Sequence, residues 1–318
     1  MRKPSASQRQ YTVAFYNLEN LFDTLDDPKT LDDDFTPKSE KKWTEKRYRK
    51  KTKKMGRVIS QIGYSETTYP PLIVGLAEVE NKKVLENLVD SKFLKEKEYD
   101  FVHFDSPDER GIDTALLYRK EYFEILHTEA FNLHLLNEEG IKDYTRDILY
   151  VKGKLEDETV HILVNHWPSR RKGTDETAYK RIAAAKRNLE IIAGIYEQDP
   201  HARILIMGDF NDDPKSESLK TLVTNEFYNP MELLLTKYSG SLNYKGAWNL
   251  FDQIILSHNF LRQHGNNFRF LTAKVFSPED IREYKGKYKG NPFRTYVGKK
   301  YLGGFSDHFP VYSVLTIE

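Results

Sequence analysis

Short apolar segments recur along the whole chain, and most of them run into a polar side chain that can carry chemistry. Seven of these segments are predicted to be buried strands, because they are short, rich in apolar or β-branched residues and bounded by polar turns. They are residues 12–16, 72–76, 114–118, 160–164, 204–207, 253–256 and 311–315. Strands spread evenly over 318 residues, with no fixed repeat and no linker between two cores, predict one large sheet-containing domain.

Helical segments alternate with some of the strands. Apolar residues recur at steps of three and four over residues 48–62 and again over 174–198, which gives each segment one buried face. A further helix is predicted near 215–223. Segments 114–119 and 122–128 resemble a hairpin and favour antiparallel pairing within a sheet. Strands mixed with helices predict the α/β (α+β) class, with two sheets face to face and helices outside them.

Composition excludes several classes of protein. Hydrophobic residues make up 39% of the chain and aromatic residues 13%, which is enough for a real core. The absence of cysteine excludes a disulfide framework, a thiolate zinc site and a cysteine nucleophile. No apolar run approaches the roughly 18 residues that a membrane span needs. Residues 1–10 are polar and lack the apolar core of a signal peptide, so we expect them to be a flexible lead. Residues 11–318 are expected to form one domain. We expect a soluble protein, and the sequence leaves its cellular compartment open.

The residues that end the strands are the informative ones. They are Asn17 and Glu19 after the first strand, Glu78 after the second, His166 after residues 160–164, Asp209 and Asn211 after 204–207, Asp252 before 253–256, and Asp307 and His308 before the last strand. Strand ends open onto a rim of the sheet, where side chains from distant segments can converge. Carboxylate and amide oxygens suit Mg²⁺, and imidazoles can contact a phosphoryl oxygen or transfer a proton. The pattern predicts a divalent-metal-dependent hydrolase of phosphate esters, with Mg²⁺ or Mn²⁺ favoured over zinc.

Each position also has a structural interpretation. A single Asp or Asn after a strand is usually a turn residue or a helix cap. Taken singly, Asp252 can be explained as a solvated residue at the start of a strand. His166 or His308, taken singly, can be explained as a buried histidine whose hydrogen bonds are satisfied within the core. Those interpretations do not account for the same pattern at six strand ends.

Taken together, these segments resemble the endonuclease/exonuclease/phosphatase superfamily, which includes pancreatic-type deoxyribonucleases, abasic-site endonucleases, inositol-polyphosphate 5-phosphatases and bacterial sphingomyelinases. The resemblance runs over residues 11–315, and 208–211 (GDFN) and 306–311 (SDHFPV) are its most specific segments. Residues 75–77 (GLA) depart from the usual pattern, since no Gln precedes Glu78. The resemblance implies a four-layer α/β/β/α sandwich of two mixed, mainly antiparallel sheets flanked by helices, with the active site at one edge.

The resemblance also implies a role for each matching residue. Glu78 corresponds to the principal metal-binding glutamate, Glu19 helps to hold the metal, and Asn17 contacts the phosphate or the metal shell. Asp209 activates or orients the attacking water, and Asn211 and His166 contact the phosphate. His308 stabilises developing charge, Asp252 pairs with it, and Asp307 binds metal or orients the histidine. A carboxylate beside His308 is expected to raise its pKa.

Substrate selection depends on weaker features. Arg110 and Asp113 lie in a loop that is near the catalytic rim in similar proteins, and we expect them to shape the site. Arg170 and Arg171 lie four and five positions after His166 in the sequence, and their guanidinium groups are expected to bind a phosphate. Arg171 is equally well explained as part of a solvated basic loop. Residues 38–57 are strongly basic and 284–296 interleave basic and aromatic residues, as nucleic-acid-binding segments do. A solvated helix face and a loop covering the sheet edge are the structural interpretations of these two segments.

Three functions are therefore considered. The favoured one is a nuclease acting on DNA or RNA, a monomer with nucleic acid as its substrate and no stable membrane association. The alternative is a phosphatase or phosphodiesterase for a small substrate such as an inositol phosphate, a nucleotide or a phospholipid headgroup. The last is a non-catalytic nucleic-acid-binding module, which the intact set of polar strand-end residues disfavours.

Overall fold

The computed structural model describes residues 9–136, 139–171, 173–261 and 268–317. Its strands are β1 (Arg9–Leu21), β2 (Ile73–Val79), β3 (Tyr99–His103), β4 (Asp113–Arg119), β5 (Phe123–Phe131), β6 (Leu135–Leu136), β7 (Lys142–Asp143), β8 (Ile148–Leu155), β9 (Glu158–His166), β10 (Arg203–Asp209), β11 (Phe227–Tyr228), β12 (Leu242–Tyr244), β13 (Ala247–Asn249), β14 (Asp252–Ser257), β15 (Phe268–Val275), β16 (Tyr296–Val297), β17 (Lys300–Tyr301) and β18 (Val311–Ile317). Its α-helices are α1 (Glu45–Ile59), α2 (Tyr64–Thr67), α3 (Lys82–Val89), α4 (Ala178–Gln198) and α5 (Glu217–Leu222), and short 3₁₀ turns lie at Asp33–Phe35, Lys95–Lys97, Pro230–Leu233, His258–Phe260 and Glu279–Ile281.

Two six-stranded sheets form the centre of the molecule. The first has the order β15-β18-β1-β2-β4-β3 and the second the order β11-β14-β10-β9-β8-β5. Each sheet has one parallel pair at its centre, β1 with β2 and β9 with β10, and antiparallel neighbours around it. A parallel pair needs a long crossover connection. The segment containing α1 provides it in the first sheet, and α4 provides it in the second.

Three apolar layers hold the two sheets and their helices together. Phe15 and Leu116 of the first sheet meet Ile162 and Met207 of the second in the core between the sheets. A second layer packs the outer face of the first sheet against α1 and α3, and a third packs the second sheet against α4 and α5. The structure therefore confirms the four-layer α/β/β/α sandwich of two mixed, mainly antiparallel sheets. Because the sheets share one core, we propose that the residues assigned from 11 to 318 form one domain.

The predicted hairpin over residues 114–128 is wrong. β4 pairs with β2 and β3 in the first sheet, whereas β5 pairs with β8 in the second. The short link between them therefore crosses from one sheet to the other at the edge of the sandwich. Tyr118 and Phe123, whose rings are 6.0 Å apart, pack across this crossing. An alternating pattern identifies each strand but not its partner, because partners are chosen by the buried face of the whole sheet.

The predicted lead also ends earlier than expected. Arg9 and Gln10 belong to β1 and pair with Ile317 and Thr316 of β18, so the backbone hydrogen bonding of the sheet begins two residues before the assigned boundary. The remainder of the lead, residues 1–8, lies outside the described residues. In the part of the chain that the structure describes, no helix combines the length and the apolar character that crossing a membrane requires.

Candidate active site

The polar strand ends meet at one edge of the sandwich because of the strand directions. Asn17 and Glu78 lie at the carboxyl ends of the parallel strands β1 and β2, and His166 and Asp209 lie at those of β9 and β10. β14 and β18 are antiparallel to these pairs, so their first residues reach the same edge. Asp252, which begins β14, is the direct cross-strand partner of Asp209.

The backbone at this edge has an uncommon conformation. Glu19, Asn20, Glu78 and Asn211 all have φ between 49° and 61°, in the left-handed region that side-chain-bearing residues rarely adopt. These conformations turn the chain sharply as each strand ends. Such residues persist where surrounding contacts fix them, and they concentrate at functional sites.

Asp209 lies at the centre of the cluster. Its Oδ2 atom accepts a hydrogen bond of 3.0 Å from the Asn17 amide and lies 3.8 Å from Nε2 of His166 and 4.0 Å from Nε2 of His308. Its Oδ1 atom accepts from the backbone N–H of Asn211. Burial raises the pKa of Asp209 to about 6, against the lowering effect of His308. The carboxylate is therefore largely ionised at neutral pH and basic enough to accept a proton.

His308 and Asp252 form a buried ion pair. Nδ1 of His308 lies 2.7 Å from Oδ2 of Asp252, which is fully buried. Burial of His308 opposes its charge, but Asp252 and Asp209 outweigh burial and raise its pKa well above the ordinary value. The expected partnership is thus present, with the charged ring directed by Asp252 and its Nε2 atom facing the site.

His166 has the opposite electrostatic character. It is buried, and its pKa lies well below the ordinary value because of burial and the positive charges of Arg146, Arg110 and His308. Its Nε2 atom faces Asp209 and lies 3.9 Å from Oε1 of Glu78. The site therefore contains one neutral and one charged imidazole on either side of Asp209.

Glu78 presents one free carboxylate oxygen to the site. Oε2 accepts a hydrogen bond of 2.8 Å from the backbone N–H of Asn20, which fixes the carboxylate. Among the residues that the structure describes, Oε1 has only longer neighbours, Arg110 at 3.8 Å and His166 at 3.9 Å. An oxygen held in place without a hydrogen bond of its own is a suitable ligand for a hard cation.

Glu19 is enclosed by protein groups. One of its carboxylate oxygens accepts a 2.6 Å hydrogen bond from the backbone N–H of Thr295, and the other lies 3.4 Å from Nε of Arg294. Nζ of the buried Lys51 lies 3.8 Å from the carboxylate and donates to the Glu19 carbonyl and to Oγ1 of Thr295. Burial and the nearby Asp307 raise the pKa of Glu19 to about 7. These contacts tie the end of β1 to α1 and to the loop before β16.

Asp307 is more accessible than the other carboxylates. Its Oδ2 atom accepts a 2.6 Å hydrogen bond from Arg294, and Oδ1 lies 4.0 Å from Nε2 of His308. Burial opposes its charge, but His308, Arg294 and Lys51 outweigh burial and lower its pKa. Asp307 is therefore ionised at neutral pH.

The donor set fits a divalent cation that prefers oxygen. Asp209, Asp252 and His308 form a buried cluster whose ligand atoms lie within 4.8 Å of one another. Glu78 and Asp307 are further oxygen donors at this edge, 3.9 Å from Nε2 of His166 and 4.0 Å from Nε2 of His308 respectively. Nδ1 of His308 is already bound to Asp252, so the donors that remain for a hard cation at this edge are carboxylate oxygens. A second group, His103, Asp105 and Asp113, also has the composition of a metal site.

Arg170 and Asn211, which were expected to contact the substrate, both form hydrogen bonds with protein groups. Nε of Arg170 donates to the Asn211 carbonyl at 2.7 Å, its guanidinium binds Asp212, and it lies over the Phe251 ring. Arg170 therefore braces the loop that carries Asn211. The Asn211 side chain donates to the Trp167 carbonyl at 2.9 Å, which fixes the orientation of its amide.

Arg110 and Asp113 are separated from each other. Arg110 donates to the side-chain oxygen of Asn20 and approaches Glu78, so it reaches the catalytic edge. Asp113 is buried and accepts from Ser106, with Nε2 of His103 3.0 Å away. Its described contacts hold the loop before β4 and do not include the catalytic residues.

Arg171 lines a cavity beside the catalytic cluster. This cavity of about 250 Å³ also contains Lys41, Arg294, Phe35 and Tyr296 in its wall, and Glu19 and Asn20 form its catalytic side. Lys172, grouped with Arg170 and Arg171 in the sequence, lies outside the described residues.

Lys51, Arg294 and Thr295 were not identified as site residues from sequence. Lys51 lies three positions after Tyr48 on the apolar face of α1, and a lysine in that position is a signal for a buried partner. Arg294 and Thr295 lie in the basic and aromatic segment 284–296, where nothing distinguishes them from neighbouring solvated residues.

Comparison with known proteins identifies the family and the fold of the chain. The sequence profile of the Endonuclease/Exonuclease/phosphatase family matches residues 12–317. Comparison with curated proteins gives no match. Many solved structures are similar over nearly all of this chain, and three are given as examples. They are D. rerio TDP2 in complex with a single-strand DNA product (15% identity, TM-score 0.56, 96% of this chain and 98% of that one), the human nocturnin catalytic domain (14%, 0.59, 98% and 94%) and a mannosyl-6-phosphatase of Bacteroides thetaiotaomicron (18%, 0.57, 96% and 99%). At these identities the structures show a shared fold.

Proposed function

Because the chain belongs to the Endonuclease/Exonuclease/phosphatase family, a family of phosphoesterases, we propose that it is a divalent-metal-dependent nuclease hydrolysing phosphodiester bonds of DNA or RNA. The observation that carries this proposal is the arrangement around Asp209. A carboxylate that can accept a proton lies between the neutral His166 and the charged His308, each with Nε2 within 4.0 Å. This arrangement suits attack by water on a phosphate ester.

The protein groups have separate tasks in this mechanism. Asp209 orients the attacking water and accepts its proton, because its carboxylate is ionised, buried and fixed by Asn17. His308, held protonated by Asp252, donates a hydrogen bond from Nε2 to a phosphoryl oxygen and stabilises the charge that develops there. His166, with its proton on Nε2, and the amide of Asn211 contact the remaining phosphoryl oxygens.

A divalent ion, Mg²⁺ or Mn²⁺, would be held by Glu78 and Asp307 with Asn17 nearby. Bound there, it would supply charge stabilisation for the phosphoryl oxygens and the leaving oxygen. Glu19 is assigned here a positioning role, since both of its carboxylate oxygens face protein donors. Arg110 acts through Asn20 and Glu78, and Arg170 acts through the Asn211 loop.

The nucleic-acid substrate is favoured by cations that surround the site in a protein of net charge +1. Arg171, Lys41 and Arg294 line the cavity that adjoins Glu19 and Asn20. Positive side chains beside a scissile phosphate are suited to the flanking phosphates of a strand. D. rerio TDP2, which shares this fold, has been solved with a single-strand DNA product.

A phosphatase for a small substrate is the second candidate. The cavity lined by Arg171, Lys41 and Arg294 has a volume of about 250 Å³, which is nearer to a small phosphate ester than to a strand. A mannosyl-6-phosphatase also shares this fold.

A substrate panel separates the two functions. Plasmid DNA, single-stranded DNA, RNA, an abasic duplex, inositol polyphosphates, mannose 6-phosphate and bis-p-nitrophenyl phosphate are incubated with Mg²⁺ or Mn²⁺, and with EDTA. We expect metal-dependent cleavage of the nucleic acids. Cleavage confined to the small monoesters would replace the nuclease with the phosphatase.

Variants test the assignment of the site. Asp209→Asn and His308→Gln are each expected to lower kcat about 10²–10⁴-fold, the range for positioned acid–base groups. Asp157→Asn is the matched control, because Asp157 is fully exposed in the turn between β8 and β9. Full activity of Asp209→Asn would contradict the proposed mechanism.

A further inference from the structure

A larger cavity lies next to the catalytic cluster and takes no part in the chemistry above. Its volume is about 500 Å³, within the range of ligand-binding pockets. Its wall comes from five parts of the chain: the segment after the 3₁₀ turn Pro230–Leu233, strand β13, the end of β15, the loop that contains Lys289, and Phe309 before β18. This loop belongs to segment 284–296, in which basic and aromatic residues alternate.

The wall of this cavity is positively charged. Lys274, Arg282 and Lys289 line it, and no carboxylate side chain belongs to the described lining. Lys274 pairs with Glu66 outside the cavity. Within the described ranges, Arg282 and Lys289 have no carboxylate within ion-pair distance, and Arg282 is held by Ser277. Two cations without a carboxylate partner favour an anionic ligand.

Aromatic side chains form another part of the wall. The ring of Trp248 is stacked on that of Phe309, with centroids 6.1 Å apart and planes 20° apart. Trp248 is partly exposed, and Tyr238 at the mouth of the cavity is 79% exposed. Ser239, Ser277 and Asn291 add hydroxyl and amide groups. Aromatic faces beside cations and hydrogen-bonding groups suit a base joined to a phosphate.

The cavity adjoins the catalytic edge. Phe309 directly follows His308, and its N–H donates to the carbonyl of Ser241. The Ser241 hydroxyl in turn accepts from the N–H of Asp252. Val275, at the end of β15, pairs with Val311 at the start of β18, so this wall is also at the end of the sheet that carries the active site.

The loop with Lys289 is closed by its own backbone. Glu283 N–H donates to the Asn291 carbonyl and Gly290 N–H to the Glu283 carbonyl, both at 2.8 Å, and Arg282 forms a bridge with Pro292. The same chain continues to Arg294, which binds Asp307. One structural segment therefore joins the cavity to Asp307.

We propose that this cavity is a nucleotide subsite, binding one base and its phosphate in a nucleic-acid strand whose scissile phosphate lies at Asp209 and His308. The base stacks on Trp248, and the phosphate contacts Arg282 and Lys289. This inference rests on the proposed nuclease function. It identifies a nucleotide of the substrate that the protein binds at a distance from the bond being hydrolysed.

Intrinsic fluorescence offers a direct binding test that needs no catalysis. The chain has three tryptophans, and Trp43 and Trp167 are buried, so Trp248 is the one whose emission a ligand in this cavity can quench. Single-stranded oligothymidylate of about eight nucleotides is titrated in EDTA, at several salt concentrations. We expect saturable quenching that Trp248→Phe abolishes.

Charge-removing variants identify the cations that bind the strand. Arg282→Ala and Lys289→Ala are each expected to raise Kd for the oligonucleotide about 3–10-fold and to reduce the salt slope by about 0.7. Lys287→Ala is the matched control, since Lys287 is exposed on the same loop but does not line the cavity. Thermal melting confirms that each variant is folded.

Hydrolysis separates failure of this inference from failure of the proposed function. Arg282→Ala and Lys289→Ala should raise KM for the oligonucleotide and leave kcat/KM for bis-p-nitrophenyl phosphate unchanged. Oligonucleotide affinities equal to that of Lys287→Ala would overturn the subsite while leaving the nuclease intact. Quenching of Trp248 by inorganic phosphate at the same affinity would also overturn it. Absence of all nucleic-acid cleavage, with quenching retained, would refute the nuclease alone.

Discussion

The buried ion pair between Lys51 and Glu19 permits a quantitative test of how the catalytic edge is held. Their side chains are 1% and 7% exposed, with Nζ 3.8 Å from the carboxylate. At an effective dielectric constant of about 20, charges at that distance attract by roughly 4 kcal/mol. This attraction offsets only part of the cost of burying both groups, because burial still lowers the pKa of Lys51 and raises that of Glu19 to about 7.

Lys51→Met keeps the apolar stem and removes the charge. The Glu19 carboxylate then loses its buried cation, and the Glu19 carbonyl and the Thr295 hydroxyl lose a donor. Breaking a buried pair by removing one partner costs about 3–5 kcal/mol. We expect the lower part of that range, because the partly exposed Arg294 lies 3.4 Å from the carboxylate.

Urea unfolding followed by tryptophan fluorescence gives the free energies of a double-mutant cycle. Lys51→Met, Glu19→Gln and the double variant should show a coupling energy of about 1–3 kcal/mol. Lys50→Met is the control, because Lys50 is exposed on the same helix, and it should change stability by less than about 0.5 kcal/mol. A loss below about 1 kcal/mol for Lys51→Met, or strict additivity in the cycle, would refute this account.

Three further predictions concern the backbone and a buried histidine. Glu78 has φ of 61°, so Glu78→Gly should be more stable to urea than Glu78→Ala by about 1 kcal/mol, while both lose metal-dependent activity; equal stability would show that the backbone there is unstrained. A Cβ at Gly208 would lie 2.3 Å from the Asn165 carbonyl oxygen, so Gly208→Ala should cost about 1–3 kcal/mol and lower kcat through Asp209, and an unchanged melting temperature would count against it. Burial lowers the pKa of His161, hydrogen-bonded to Tyr150, to about 4. Because the unfolded chain takes up this proton near pH 6.5 and the folded protein does not, stability should fall by about 1–2 kcal/mol between pH 6.5 and 4, after allowance for solvent screening. His161→Gln should remove that part of the pH dependence of urea unfolding; an unchanged profile would contradict it.

Much of the fold follows from local pattern. Six of the seven predicted segments lie wholly within strands of the two sheets, and the seventh, 72–76, begins one residue before β2; the apolar faces over residues 48–62 and 174–198 correspond to α1 and α4. Side-chain periodicity is a property of neighbouring residues, so it can be recognised without knowing any partner. The pairing of β4 and β5 could not be recognised in this way, because each pairs with strands of a different sheet.

At the catalytic edge, too, some residues are recognisable from local sequence pattern and others are not. Asn17, Glu78, Asp209 and His308 were identified because they end or precede apolar strands in a chain order that resembles a known family. Lys51 and Thr295, which enclose Glu19, were not identified. Thr295 is 276 positions from Glu19 in the sequence, and its backbone N–H carries no signal in the side-chain pattern.

The sequence by itself determined seven of the strand segments, the apolar faces of α1 and α4, and the chemical groups that stand at the strand ends. Tertiary structure decided what each group does. It directs Asp252 onto His308, surrounds Glu19 with donors and turns Arg170 toward Asp212. It also brings Trp248, Arg282 and Lys289 around one cavity. The physical reason is that pKa, hydrogen bonding and cavity shape depend on groups distant in sequence, which become neighbours only when both sheets and their helices are packed.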